Sequence, residues 1–184
     1  MRTRGRRRTR AVDLAVAPWN LVRDAVLPGA MAGTLGACAM ALLACAFTGV
    51  LHGEPSRPAL SVAGLFLRDG TARGAGAVLL GVLVHFAVAG GLATGFSLLL
   101  PRRGTAVAAL FLGLLYGLAV WAVMAHLVIP FGSPPLSRED PSALLFLLHL
   151  AFGASLGTVP AFRRVLTRAD RLRHHVLALR TAPR

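Results

Sequence analysis

Residues 74–100 read GAGAVLLGVLVHFAVAGGLATGFSLLL, with Arg73 before them and Pro101-Arg102-Arg103 behind. The stretch holds no acid and no arginine, and His85 is its one ionisable side chain. A helix rises about 1.5 Å per residue, so about 20 residues cross the roughly 30 Å of bilayer hydrocarbon. Inside hydrocarbon no water satisfies the backbone, and only a helix or a closed barrel solves that problem. Barrel strands alternate between a lipid-facing and a lumen-facing residue. This stretch does not alternate, so it is predicted to be a membrane-crossing helix.

Working outward, three more windows have the same character: 28–51, 105–130 and 141–160. None contains an acidic or an arginine residue, and Glu139 and Asp140 stand just before the last one. The fold class that follows is an all-α integral membrane protein, a bundle of four transmembrane helices. Composition agrees. Of the 184 residues, 55% are hydrophobic and only 15% charged, against about 25% charged in an ordinary soluble domain. The mean hydropathy is +0.66.

The formal net charge is +13, from 20 basic residues that are all arginine and 7 acidic ones. Their placement sets the threading. Seven arginines precede the first window (Arg2, Arg4, Arg6, Arg7, Arg8, Arg10, Arg23), two follow the second (Arg102, Arg103) and seven follow the fourth (Arg163, Arg164, Arg168, Arg171, Arg173, Arg180, Arg184). The opposite side holds four: Arg57, Arg68, Arg73 and Arg138. Positive charge stays inside, so both termini are expected in the cytoplasm and the protein in the cell inner membrane. Residues 1–27 form a basic segment with an interfacial helix around Trp19, 28–160 the membrane domain, and 161–184 a basic amphipathic tail. In that tail Phe162, Val165, Leu166, Ala169, Leu172, Val176 and Leu179 recur at helical spacing between arginines. Such a helix lies on anionic lipid of the inner leaflet. The chain shows no nucleic-acid motif or stacking platform, so no nucleic acid is expected as partner. The expected partners are membrane lipids, a second copy of the chain, or another membrane protein.

Processing signals are weak. Leu42-Leu43-Ala44-Cys45 loosely matches a lipoprotein cleavage box, but the apolar run begins too late and lasts too long for a signal peptide. Arg6-Arg7-Arg8 reads as a cytoplasmic anchor rather than an export signal. Cys38 and Cys45 lie seven positions apart on one helix, about 10 Å, beyond disulfide reach. The connection at 58–67 is apolar enough to lie on the outer surface or dip in as a re-entrant turn.

Helices in lipid associate through close backbone approach, which small residues permit. Each window carries a glycine pair four apart: Gly29 and Gly33, Gly91 and Gly95, Gly113 and Gly117, Gly153 and Gly157. A faint repeat accompanies them, His85-Phe86-Ala87 ahead of Gly91 and His149-Leu150-Ala151 ahead of Gly153. Two related hairpins would be the parallel-repeat arrangement of some transporters.

The chemistry resides in histidines. His85, His126 and His149 fall within windows, and His52 sits where the first window emerges. Counted along the helices, all belong to the outer half of the membrane. Intramembrane ionisable groups are expensive and mark candidate sites. Neutral imidazole ligates zinc, copper or iron, relays protons, or ligates haem. Pro130 has no N–H, so the carbonyl of His126 loses its helical donor and becomes a free acceptor. Against this stands a structural reading, in which each imidazole bonds a carbonyl on a neighbouring helix and holds the bundle together. Tyr116 and Trp121 read as packing residues, and Glu139 and Asp140 as an N-cap ahead of Pro141. No nucleophile–base pair, phosphate loop or carboxylate dyad is present, so no enzymatic activity and no resident cofactor are expected, a transition metal or haem at the histidines being the alternative.

The run from His85 through Pro101 to His149, with Ala125-His126-Leu127-Val128-Ile129-Pro130-Phe131-Gly132-Ser133-Pro134-Pro135 between, resembles the YagU-type small bacterial inner-membrane proteins over about residues 79–157. The resemblance lies in a membrane histidine, a helix closing with His, Pro, Gly and a Pro-Pro turn, and another helical histidine. It implies inner-membrane placement and a multi-pass topology, implies no catalytic residue, and adds weight to His85, His126 and His149. Two functions follow as expectations: transport, permeation or metal handling through the outer-half histidines, or an accessory or scaffold role with structural histidines.

Overall fold

The computed structural model describes residues 19–67, 72–102, 104–132 and 142–181, without the side chains of 142, 175 and 178–181. Every regular element among the described residues is helical. They are α1 (Leu27–His52), α2 (Arg57–Gly64), α3 (Gly74–Leu99), α4 (Ala106–Val123), α5 (Ile129–Gly132), α6 (Ser142–Leu156) and α7 (Val159–Thr181). Four stretches are long and apolar enough to cross a membrane: Val22–His52, Gly74–Leu99, Ala106–Gly132 and Ala143–His174.

Local chemistry sets the boundaries. Gly53 takes the left-handed conformation (φ 68°) and its N–H donates to Gly49 O, which ends α1. Thr105 caps α4, its hydroxyl accepting from Ala108 N–H at 3.1 Å. Pro101 follows α3, where it cannot continue the helix. The fourth crossing is not one rod. Gly157 and Thr158 make a turn, Thr158 Oγ1 donates to Ser155 O at 2.6 Å, and α7 begins at Val159-Pro160. The basic tail is therefore helical from Val159, so its helix begins inside the window 141–160.

Two five-residue π-helical turns interrupt the α-helical register, Val22–Val26 and Met124–Val128. Each ends one residue before an X-Pro step, Leu27-Pro28 and Ile129-Pro130, and in each the residue before proline donates five residues back: Leu27 N–H to Val22 O and Ile129 N–H to Met124 O. A proline ring clashes with the carbonyl four residues before it. Widening the helix by one residue takes that carbonyl, of Asp24 or of His126, out of the α-helical register.

The long helices pack in the order α3, α1, α6, α4: α1 lies against α3 and α6, and α6 against α1 and α4. Glycines set the closeness. A Cβ on Gly33 would lie 2.6 Å from Ala89 O and 2.8 Å from Ala93 Cβ, so α1 and α3 touch backbone to backbone. Gly36 meets Ser155 and Phe152 of α6, and Ser155 Oγ lies 2.6 Å from Phe152 O and 3.1 Å from Ala32 O across that seam. Gly113 and Gly117 of α4 face Gly153 and the carbonyl of His149. Gly157 lies against Leu110, where a Cβ would sit 3.2 Å from Leu110 Cα. In α3 the expected pair is not at the crossing: a Cβ on Gly91 would meet nothing within 4 Å, and one on Gly95 only Tyr116 Oη at 3.7 Å. The α3 face turned to α1 is instead that of Ala89 and Ala93, while Gly81 lies under Ala59 of α2. The apolar connection at 58–67 thus contains a short helix resting on the first turns of α3.

Between the helices lie Ala32, Ala37, Ala93, Phe96, Phe152 and Leu156. The outward faces are just as apolar: Leu42 is 72% exposed, Leu99 78% and Phe111 64%. A belt of that kind suits a lipid surround, since soluble monomers rarely expose large contiguous apolar patches. Residues before Trp19 and residues 133–141, with Glu139 and Asp140, lie outside the described residues; of the expected interfacial helix, Val22–Val26 is described and runs straight into α1 instead of standing apart.

Candidate functional site

The four histidines divide into an inner and an outer pair. His85 is half-buried on α3, and its Nε2 lies 3.2 Å from Ala37 O on α1. His149 is buried on α6, with Nδ1 2.8 Å from Leu145 O, one turn earlier in the same helix. A carbonyl only accepts, so the proton sits on Nε2 in His85 and on Nδ1 in His149. His85 thereby ties α3 to α1. Burial of His149 follows from Gly117, whose missing side chain lets the His149 backbone approach α4.

His126 and His52 are exposed. His126 lies in the second π turn, its ring edge-on to Trp121 with centroids 5.9 Å apart, and Trp121 stands edge-on to Phe146 at 5.2 Å. Trp121 Nε1 is buried with no acceptor among the described residues. His52 is the last residue of α1. Among the described residues no group of three or more His, Cys, Asp or Glu side chains stands close enough to hold a metal ion. Cys38 is exposed, Cys45 half-buried, and both are free thiols.

A second polar region, not foreseen from sequence, occupies the opposite end of the bundle. Asp24, in the first π turn, is buried, and three groups converge on it. Arg23 reaches it at 2.9 Å (Nε to Oδ1) and 3.1 Å, Arg102 from the α3–α4 turn at 3.2 Å, and Asn20 N–H donates to Oδ2 at 3.0 Å. Arg23 also bonds Asp170 of α7 at 2.9 Å. The ends of three crossings and the tail are therefore joined through two carboxylates. Arg163 of α7 caps α3: its Nη1 donates to Leu100 O (3.2 Å) and Pro101 O (3.1 Å), and its Nη2 to Ser97 O. A cation over the last carbonyls of a helix suits the negative end of its dipole. Beside these groups opens a cleft of about 420 Å³ lined by Asp24, Arg102, Arg163, Arg164, Arg168 and Arg171. The sequence signal for the network was present: Asp24 and Asp170 are acids inside arginine-rich segments, Asp170 the single one of residues 161–184.

α3 and α4 meet through Tyr116, which donates to Leu92 O at 3.1 Å and packs against Phe96 with ring centroids 5.5 Å apart. Below that contact a second, apolar cleft of about 360 Å³ separates them, lined by Leu99, Leu100, Leu112 and Leu115 with the two rings.

No protein-family model, curated protein or solved structure matches this chain.

Proposed function

We propose that this chain is a non-catalytic accessory or scaffold protein of the cell inner membrane, crossing four times with both termini in the cytoplasm. The single observation that carries the reading is how the inner histidines are used. The proton-bearing nitrogen of His85 is spent on Ala37 O across the α1–α3 seam, and that of His149 on Leu145 O. Each is a polar group satisfied within the protein; the His85 bond joins two helices as interhelical glue does, while that of His149 closes on its own helix. The distribution of arginines, sixteen against four, supports the orientation. The YagU-type resemblance fits the same placement.

The test is metal analysis and a visible spectrum of the purified protein beside a His85→Ala, His126→Ala, His149→Ala variant. A metal-free, colourless protein in both cases, with the variant less stable, supports the reading. A stoichiometric metal or a chromophore that the triple variant loses overturns it in favour of metal handling. Reporter fusions at the two ends test the threading, and opposite compartments would refute it.

A further inference from the structure

The greatest concentration of charge in the described residues is the cleft between α7, the first π turn and the α3–α4 turn. Five guanidinium groups (Arg102, Arg163, Arg164, Arg168 and Arg171) line it with one carboxylate, Asp24. That carboxylate is already engaged by Arg23 and Arg102. Arg164, Arg168 and Arg171 repeat at i, i+4 and i+7 on α7, so they stand in one row. None of the three pairs with an acid among the described residues. Arg163 has donated its two terminal nitrogens, yet its Nε is buried without an acceptor among the described residues. Like charges held this close repel, and an anion with several acceptor oxygens would relieve both the repulsion and the unused donor. Guanidinium groups match phosphate oxygens in geometry as well as charge.

Two neighbouring surfaces indicate where such a phosphate comes from. The apolar cleft between α3 and α4 shares the turn at 100–105 as its boundary, so an apolar slot and a cationic one flank the same turn. On α7, Val165, Ala169, Leu172 and Val176 form an exposed apolar row beside the arginine row. A helix with those two rows seats one in acyl chains and the other among headgroups.

We propose that this arginine-lined cleft binds a phosphate group, carried by an anionic phospholipid headgroup or presented free from the water side. The lipid source rests on the membrane reading given above, whereas the free-phosphate source does not. The experiment titrates detergent-solubilised full-length protein calorimetrically with short-chain phosphatidylglycerol, short-chain phosphatidylcholine and inorganic phosphate. Saturable binding of phosphatidylglycerol, tighter than of phosphatidylcholine, supports the site with lipid as its source. Binding of inorganic phosphate that competes with the lipid supports the same site with a free source. Arg168→Gln and Arg171→Gln, both exposed side chains, should each weaken binding about fivefold. Arg173→Gln, which removes the same charge from α7 outside the cleft, should change it less than about twofold. Unaltered melting of the variants verifies that they are folded. No saturable binding of any of the three probes, or equal losses in all three variants, overturns the proposal, equal losses indicating diffuse attraction instead of a built site.

Discussion

Replacing Gly117 with alanine puts a methyl group into the α4–α6 crossing. A Cβ there would lie 2.5 Å from His149 O, 2.9 Å from Gly153 Cα and 3.1 Å from Gly153 N. All three are backbone atoms, so no rotamer change relieves the overlap. Ordinary contact begins near 3.4 Å, so the two helices must separate by about 0.9 Å at this point (3.4 minus 2.5). Opening a packed seam by that amount costs about 1–3 kcal/mol. Gly91→Ala is the matched control: nothing lies within 4 Å of its Cβ, and alanine is the better helix former, so the effect should stay within about 0.5 kcal/mol. Gly153→Ala attacks the same crossing from the other side. The double variant with Gly117→Ala should lose less than the sum of the two, because one separation accommodates both methyl groups. Unfolding titration in mixed micelles measures all four proteins. Equal losses for Gly91→Ala and Gly117→Ala, or full additivity at Gly117 and Gly153, would refute the packing argument.

Three further outcomes are expected. Asp24→Asn leaves Arg23 and Arg102 facing a neutral group in a buried setting and should cost about 1–3 kcal/mol, whereas Asp170→Asn, at a more exposed pair, should cost less than about 1 kcal/mol. Thermal melting at low and high salt separates the two, since salt screens the exposed pair more. His85→Ala should lose about 0.6 kcal/mol and no more than about 1.7, the average and the upper end for interhelical bonds in a membrane bundle, while His126→Ala should change melting by less than about 0.5 kcal/mol. Arg163→Lys should not rescue the stability lost in Arg163→Ala, because one ammonium cannot reach Ser97, Leu100 and Pro101 together as the forked guanidinium does.

The long helices were legible because unbroken apolar runs of about 20 residues, of the kind that hydrocarbon demands, mark them in the sequence. The windows 28–51, 74–100 and 105–130 correspond to Leu27–His52, Gly74–Leu99 and the run from Ala106 to Gly132. Which side of α3 faces its neighbour was not legible. That helix is apolar on every side, so nothing in its pattern distinguishes the face of Gly91 and Gly95 from that of Ala89 and Ala93, and the structure uses the second. The π turns carried a signal in Pro28 and Pro130, which mark where an α-helix is strained but not how the strain is relieved. The histidines were legible as polar groups in lipid, while their partners, Ala37 O and Leu145 O, were not, since every residue offers the same carbonyl. The arginine network escaped because Arg23 and Asp170, 147 residues apart, meet only once the bundle has closed.

The order of the crossings bears on how the protein is made. α1 and α3 emerge from the ribosome early and already share a seam, so that hairpin can assemble while synthesis continues. α4 follows, but its extensive partner is α6, translated after it. Until α6 arrives, the glycine ridge of α4 at Gly113 and Gly117 lacks the backbone it packs against. α6 is thus the keystone of assembly, and nascent chains halted before it leave α4 without its main neighbour.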